Sequence, residues 1–192
     1  MLMEQSTSEK ILDIAQSRII AGGYNGFSYA DISDAIGIRK ASIHHHFPTK
    51  AELVSALVGR YTGQVKSGLG GVLEQIPQPA AQLDAYVGHW QKCIADASLP
   101  FCMCAMLASE IQMLPPDVAS LVRGHFEYLA RWLETVFDAG ARHNVFRLNA
   151  SPEAHAQIFM ASVHGAMLSA RALDKPELFA AVIGPQVAAL KA

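Results

Sequence analysis

Apolar residues recur at intervals of three and four along nearly the whole chain. No segment alternates with period two and no internal repeat is visible, so the pattern predicts helices and no sheet. Ile11, Ala15 and Ile19 stand at i, i+4 and i+8, with Leu12 and Ile14 widening the stripe. They predict a first helix from about Thr7 to Ala21, stopped by Gly22-Gly23. Ser28 is a good N-cap for a second helix whose inward face is Ile32, Ala35 and Ile36. Gly37 supplies a turn, and a short third helix runs from Arg39 to about His46. Pro48 precedes a Thr49 N-cap, and a long fourth helix follows from Lys50 to about Gln75. Glycines at 63, 68, 70 and 71 weaken its far end by roughly 1 kcal/mol each relative to alanine. A hinge, close packing and early fraying all fit that composition.

After the Pro77–Pro79 break, the periodicity predicts a fifth helix from Ala80 to Ala97 and a sixth from Phe101 to Leu114. A seventh starts at Pro115-Pro116 and reaches about Arg142. The eighth starts at Ser151-Pro152, where proline suits the first turn, and ends near Leu173. Lys175-Pro176 opens the ninth. The expected fold class is all-α.

Composition supports a packed chain. Of 192 residues, 51% are hydrophobic and 17% charged, enough for a core and too apolar for disorder. The start, MLMEQSTSEK, is no secretory signal, and no apolar run is long enough to span a membrane, so a cytoplasmic location is expected. There the three cysteines should be thiols and not a disulfide framework. The net charge of −2 excludes a generic polyanion binder. Residues 1–61 hold six basic and six acidic side chains, so any DNA contact must come from a few placed cations, doubled by dimerisation.

Residues 28–53, SYADISDAIGIRKASIHHHFPTKAEL, carry the most information about function. Two short helices separated by Gly37 have the spacing of a helix-turn-helix, whose second helix enters the major groove. Arg39 and Lys40 suit guanine edges or phosphate, and Ala41 and Ser42 permit close approach. Ile43 should point inward, while His44 and His45 offer donors to phosphate or base. Ser28 and Lys50 stand at helix starts, where free N–H groups and the helix dipole favour a phosphate. The triple histidine is no metal site: consecutive helical side chains lie about 100° apart and cannot converge on one ion. His46 is expected to pack beside Phe47. On spacing alone, a plain helical hairpin with a solvated Arg-Lys face also fits.

Residues 8–61 resemble the DNA-binding domain of TetR-family transcriptional regulators. After an opening amphipathic helix comes a Gly-aromatic turn, here Gly26-Phe27, then Ser28 and DISDAIGI in the place of "xIAxxxGV". ASIHHHFPTKAEL stands in the place of "xxLYxHFxxKxxL", with His44 replacing the usual tyrosine and Ile43 the usual leucine. His44 keeps a polar donor at a position that typically touches phosphate in the family, with shorter reach. The arm before the first helix carries no Lys or Arg until Lys10, so little minor-groove contact is expected from it. The resemblance implies a three-helix DNA-binding domain over 1–48, with its helix-turn-helix at about 28–47. It implies a ligand-binding and dimerisation domain over 49–192, in which helices four to seven enclose a ligand and helices eight and nine form a dimer bundle.

Small residues in the eighth helix favour close approach of another helix. The expected dimer interface is Ala161, Gly165, Leu168 and Ser169, with Phe179 and Val182 from the ninth helix.

The expected sensing residues are Cys93, Cys102, Cys104, Tyr86, His89, Trp90, Met103, Met106 and Phe126, although Met and aromatic residues at such spacing also make plain core. Cysteine too is often a small buried hydrophobe. Cys102 and Cys104 are two apart and face different ways, so they do not bond each other, and Cys93 stands near either across a Ser98–Pro100 turn. Cys102, at the start of the sixth helix, is the best placed for a lowered pKa and electrophile or oxidant sensing. CMCAMLASE is similar to the "CLxGxLAxE" signature of a TetR subgroup, some of whose members respond to reactive electrophiles. Metal sensing through His89, Cys93, Cys102 and Cys104 is the weaker reading, since no ligand pair is expected to share one helix face.

A homodimeric regulator is therefore expected, most simply a repressor that leaves a palindromic double-stranded operator when a small-molecule inducer binds or a cysteine is modified. No cofactor and no membrane partner are expected. The rival class, a thiol-dependent enzyme, lacks a local nucleophile–base motif.

Overall fold

A computed structural model describes residues 5–96 and 101–191. The described residues form nine helices. They are α1 (Thr7–Gly22), α2 (Tyr29–Ile36), α3 (Lys40–His46), α4 (Lys50–Gln75), α5 (Pro79–Ala95), α6 (Met103–Ser109), α7 (Pro116–Arg142), α8 (Pro152–Ala172) and α9 (Glu177–Lys191). No helix among them is long and apolar enough to cross a membrane.

The chain divides into two compact units, Met1–Gln64 with Cys102–His125, and Val65–Phe101 with Phe126–Ala192. In the first, α1 buries Ile11, Leu12, Ala15 and Ile19, and Ile32 of α2, Ile43 of α3 and Leu53, Leu57 and Val58 of α4 are buried as well. This is the stripe that the three-to-four periodicity demands. Ser6 caps α1 by accepting from Glu9 N at 3.2 Å. Arg60 of α4 reaches back to α1, 2.8 Å from Asp13 and 3.5 Å from Glu9. In the second unit, Phe137 sits among Phe146, His155 and Phe159 at centroid distances of 5.9, 5.9 and 5.7 Å. Phe179 and Ile183 of α9 are fully buried in the same unit.

Most predicted boundaries fall within two residues of those observed. The sixth helix is the exception: in place of Phe101 to Leu114, α6 stops at Ser109. The chain then tightens into turns in which Glu110 N donates to Leu107 O at 3.1 Å and Met113 N to Glu110 O at 2.8 Å. Such three-residue spacing tightens a helix end, and Pro115-Pro116 cannot continue it. The predicted end of the fifth helix at Ala97 and the Ser98–Pro100 turn lie outside the described residues. The α4 helix runs unbroken to Gln75, and a Cβ at Gly63, Gly68 or Gly70 would meet nothing, so close packing within the chain does not account for these three glycines.

The outward face of α8 exposes Ala161, Gly165, Leu168 and Ser169, four of the residues expected at a dimer interface, together with Ile158. Val182 is half-buried. Phe179 is corrected: it has no exposed surface in the single chain and belongs to the core beneath that face.

Candidate nucleic-acid interface

The α2–α3 pair is built locally. At Ser28 a capping box forms: the Ser28 N–H donates to Asp31 Oδ2 at 2.6 Å and the hydroxyl to the same oxygen at 2.8 Å. Those two bonds hold the Asp31 carboxyl below the usual carboxylate range. Gly37 ends α2 with φ 78°, the left-handed conformation that favours glycine, and its N–H donates to Ser33 O at 2.9 Å. Ser33 Oγ donates to Ile38 O at 2.6 Å, pinning the turn from inside.

Arg39 is the extended N-cap of α3, with φ −74° and ψ 144°, and not its first helical residue. Within α3, Ile43 is fully buried while Lys40, Ala41, Ser42, His44, His45 and His46 are exposed. Ala41 and His45, at i and i+4, share the face opposite Ile43, with Ser42 and His44 to either side of them and Lys40 in the first turn. The far end of α3 is fastened by Tyr29, whose hydroxyl donates to Phe47 O at 2.8 Å and whose ring centroid lies 4.7 Å from that of His44. Burial above all pushes the Tyr29 phenol up to about 12, so it remains a donor at neutral pH. His44 is tethered as well, its Nδ1 lying 3.2 Å from Pro48 O.

The side chains of two of the expected phosphate residues are engaged by other groups of the chain. The Ser28 hydroxyl serves Asp31. The Lys50 ammonium turns inward to donate to Phe27 O and lies 4.1 Å and 5.0 Å from the ring centroids of Phe27 and Tyr24. Burial lowers the Lys50 pKa. What Lys50 still offers outward is its backbone in the first turn of α4, where Thr49 Oγ1 accepts from Glu52 N at 3.2 Å. The exposed cations of this surface are Arg39 and Lys40, with His45 beside them.

Two structural residues of this unit were not foreseen as such. Tyr29 looks from sequence like an ordinary helix residue. Glu110, the acid closing CMCAMLASE, accepts from Tyr24 N at 2.6 Å and so ties the end of α6 to the turn before α2.

The expected sensing residues are divided between the units. Cys102, Met103, Cys104 and Met106 belong to the first, and Tyr86, His89, Trp90, Cys93 and Phe126 to the second. Cys102 is corrected: it is the N-cap of α6 and fully buried, and burial pushes its thiol up, although Tyr61 hydrogen-bonds it. Desolvation outweighs the helix terminus there. Cys104 is also fully buried and shifted up. Tyr86 packs on Trp132, with centroids 5.6 Å apart, and Phe126 on His164 at 5.1 Å.

The expectation that no ligand pair shares one helix face is also corrected. His89 and Cys93 are one turn apart on α5, with Sγ 3.7 Å from Nε2. Among the described residues, no group of three or more His, Cys, Asp or Glu converges in a metal-holding arrangement.

Residues 11–57 match the model of bacterial regulatory proteins of the tetR family. Residues 79–184 match the tetracyclin repressor-like C-terminal domain. The chain is similar to a TetR-family transcriptional regulator from Agrobacterium tumefaciens at 49% identity and a TM-score of 0.94, covering 96% of this chain and 97% of the other. A TetR transcriptional regulator from Legionella pneumophila is 27% identical with a TM-score of 0.85, over 94% and 95% of the two chains. The reduced form of E. coli NemR shares the fold at 18% identity and a TM-score of 0.87, over 98% of each. No curated protein matches the sequence.

Proposed function

The chain belongs to the TetR family of bacterial regulatory proteins, and on that premise we propose that it is a homodimeric repressor whose α3 reads a palindromic operator and which a small-molecule inducer releases. Membership makes it a DNA-binding transcriptional regulator and not an enzyme, and implies operator binding by ligand-responsive dimers. The observation that carries the finer reading is the division of α3. Ile43 is fully buried as an anchor while Lys40, Ala41, Ser42 and His45 are exposed and free to enter a groove.

Arg39, Lys40 and His45 supply the cationic or donor contacts in this reading, and Ala41 and Ser42 allow close approach to base edges. Ser28, His44 and Lys50 act through the helix starts and turns they hold, with the backbone amides that begin α2 and α4 facing phosphates. A second copy docked on the exposed α8 face provides the second reader, and its two-fold symmetry accounts for a palindromic site.

An inducer shifts the population toward a state whose two readers no longer fit two half-sites. Small differential binding suffices, since each 1.4 kcal/mol or so between the two states is about a tenfold change in their ratio. Tyr86, His89, Trp90 and Phe126 are the favoured inducer contacts, because they belong to one unit and carry aromatic and polar groups together. The inaccessible thiols of Cys102 and Cys104 favour a reversible ligand over modification at those two sulfurs. A cytoplasmic location fits this role.

Footprinting on the DNA upstream of the coding sequence tests the proposal. Protection of two symmetric half-sites about one or two helical turns apart would support it. Protection of a single half-site, or of none, would contradict it.

A further inference from the structure

On the reading of α3 as the DNA reader, which it presupposes, we infer that Tyr29 and His44 form a clamp on the corner between α3 and α4. Neither touches a base in this assignment. Both are positioning residues, and what they set is the discrimination of operator from other DNA.

The α3 helix cannot hold its own pose. It has seven residues, under two turns, too short to be stable alone in water. Its start is pinned through Gly37, whose N–H donates to Ser33 O, and through Ser33 Oγ, which donates to Ile38 O. Ile43 and, just past the helix, Phe47 are buried on one side. Apolar burial is non-directional, so it decides which side faces the core and leaves roll and tilt loosely fixed. A small roll displaces Ala41 and His45 on the opposite face.

The hold at the far end comes from two hydrogen bonds to consecutive carbonyls. The Tyr29 hydroxyl reaches across from α2 and donates to Phe47 O at 2.8 Å, and His44 Nδ1 lies 3.2 Å from Pro48 O. Facing a carbonyl, Nδ1 carries a proton and donates. The two rings meet with centroids 4.7 Å apart and planes inclined at 56°, so each restricts the other. Burial above all pushes the phenol up to about 12, which keeps its donor proton in place. One residue further, Thr49 Oγ1 accepts from Glu52 N at 3.2 Å and starts α4. The corner therefore ties α3 to α2 on one side and to the start of α4 on the other.

Base readout and phosphate attraction respond differently to slack at this corner. Hydrogen bonds to base edges need groups held to within about 0.5 Å. Attraction between cations and phosphates tolerates more and carries no sequence information. Loss of the clamp should lower selective affinity and spare non-selective affinity. A residue that itself touched phosphate would behave otherwise: its removal weakens binding to all DNA and lowers the salt slope by about one per protomer.

The test uses the full-length protein and fluorescence anisotropy over a salt series. One duplex is the footprinted upstream DNA, and the other is a scrambled duplex of equal length and composition. Tyr29→Phe deletes the hydroxyl and keeps the ring, and His44→Leu deletes the imidazole. Each should cut the ratio of operator to scrambled affinity by about three- to tenfold, with scrambled affinity and salt slope unchanged. His44→Asn, which keeps a donor close to the place of Nδ1, should recover most of the ratio. Because both bonds hold one corner, the double variant should lose less than the product of the single losses.

An unchanged ratio in Tyr29→Phe would overturn the clamp, even with a lowered melting temperature, since the bond would then be merely structural. Equal weakening on both duplexes in His44→Leu would overturn it too, by making His44 a direct phosphate contact. If His44→Leu does not fold, Tyr29→Phe and His44→Asn decide the matter in the same way. A wild type with no preference for the upstream duplex would remove the operator reading and the clamp with it. A selective wild type with unaltered variants would remove the clamp alone.

Discussion

The backbone N–H of Tyr24 donates to Glu110 Oε2 at 2.6 Å, joining residues 86 apart in sequence inside one compact unit. The carboxylate stands just past α6, and the amide stands in the turn that leads α1 into α2. The start of the reader is thus held by a residue from the segment that follows α5.

Glu110→Ala leaves a part-buried amide without its charged acceptor. It should destabilise the protein by about 1.5–3 kcal/mol in urea unfolding and weaken operator binding with it. Glu110→Gln keeps an acceptor oxygen and should cost less in both measurements.

The same contact makes Gly23 irreplaceable. Its φ is +74°, and a Cβ there would fall onto the Glu110 carboxylate, so Gly23→Ala combines backbone strain with loss of the Tyr24 bond. The expected cost exceeds about 1 kcal/mol. Gly63→Ala is the opposite case: helical, with open space at its Cβ, it should raise stability by up to about 1 kcal/mol. Chemical denaturation of the two variants side by side checks the opposite signs.

Acid should weaken the second unit through His164. Its Nδ1 lies 2.8 Å from Met160 O, its Nε2 is buried without a hydrogen-bond partner, and burial lowers its pKa from the ordinary 6.5. Between the lowered folded value and 6.5 the unfolded chain holds a proton that the folded chain refuses, so stability rises with pH there. The contribution is complete above about pH 6.5 and fades as the pH falls below it. His89, also lowered, adds the same sign. Melting temperatures from pH 8 down to about 5.5 should fall, and His164→Gln should flatten the decline.

Leu168 is 45% exposed beside Gly165 and Ala161 on α8. Leu168→Glu places a charge at the centre of the proposed dimer face and leaves the core beneath untouched. Sedimentation should show a shift toward monomer with helix content unchanged, and operator affinity should drop because half-sites would be bound singly.

What was legible in the sequence was local. Ser28, Gly37 and the Pro48-Thr49 pair mark helix ends through caps and backbone freedom that act over three or four residues. The buried stripe of α1 follows directly from spacing. What was not legible depends on neighbours distant in the chain. Lys50 reads as a phosphate cation until Phe27 and its carbonyl, 23 residues away, claim the ammonium. Cys102 reads as an activated helix-start thiol until full burial raises its pKa. Phe179 reads as an interface residue until packing buries it within the single chain. The His89–Cys93 spacing was in plain view, four residues apart, but the 3.7 Å approach of the two side chains depends on their rotamers, which spacing does not give.

The central claim is that the exposed face of α3 reads DNA, and fluorescence anisotropy on the upstream duplex over a salt series tests it most directly. The wild type should bind with a steep salt dependence. Lys40→Ala should reduce the log–log slope by about one per protomer while melting temperature stays unchanged. Equal affinity and equal slope for wild type and for a Lys40→Ala, His45→Ala double variant would contradict the account.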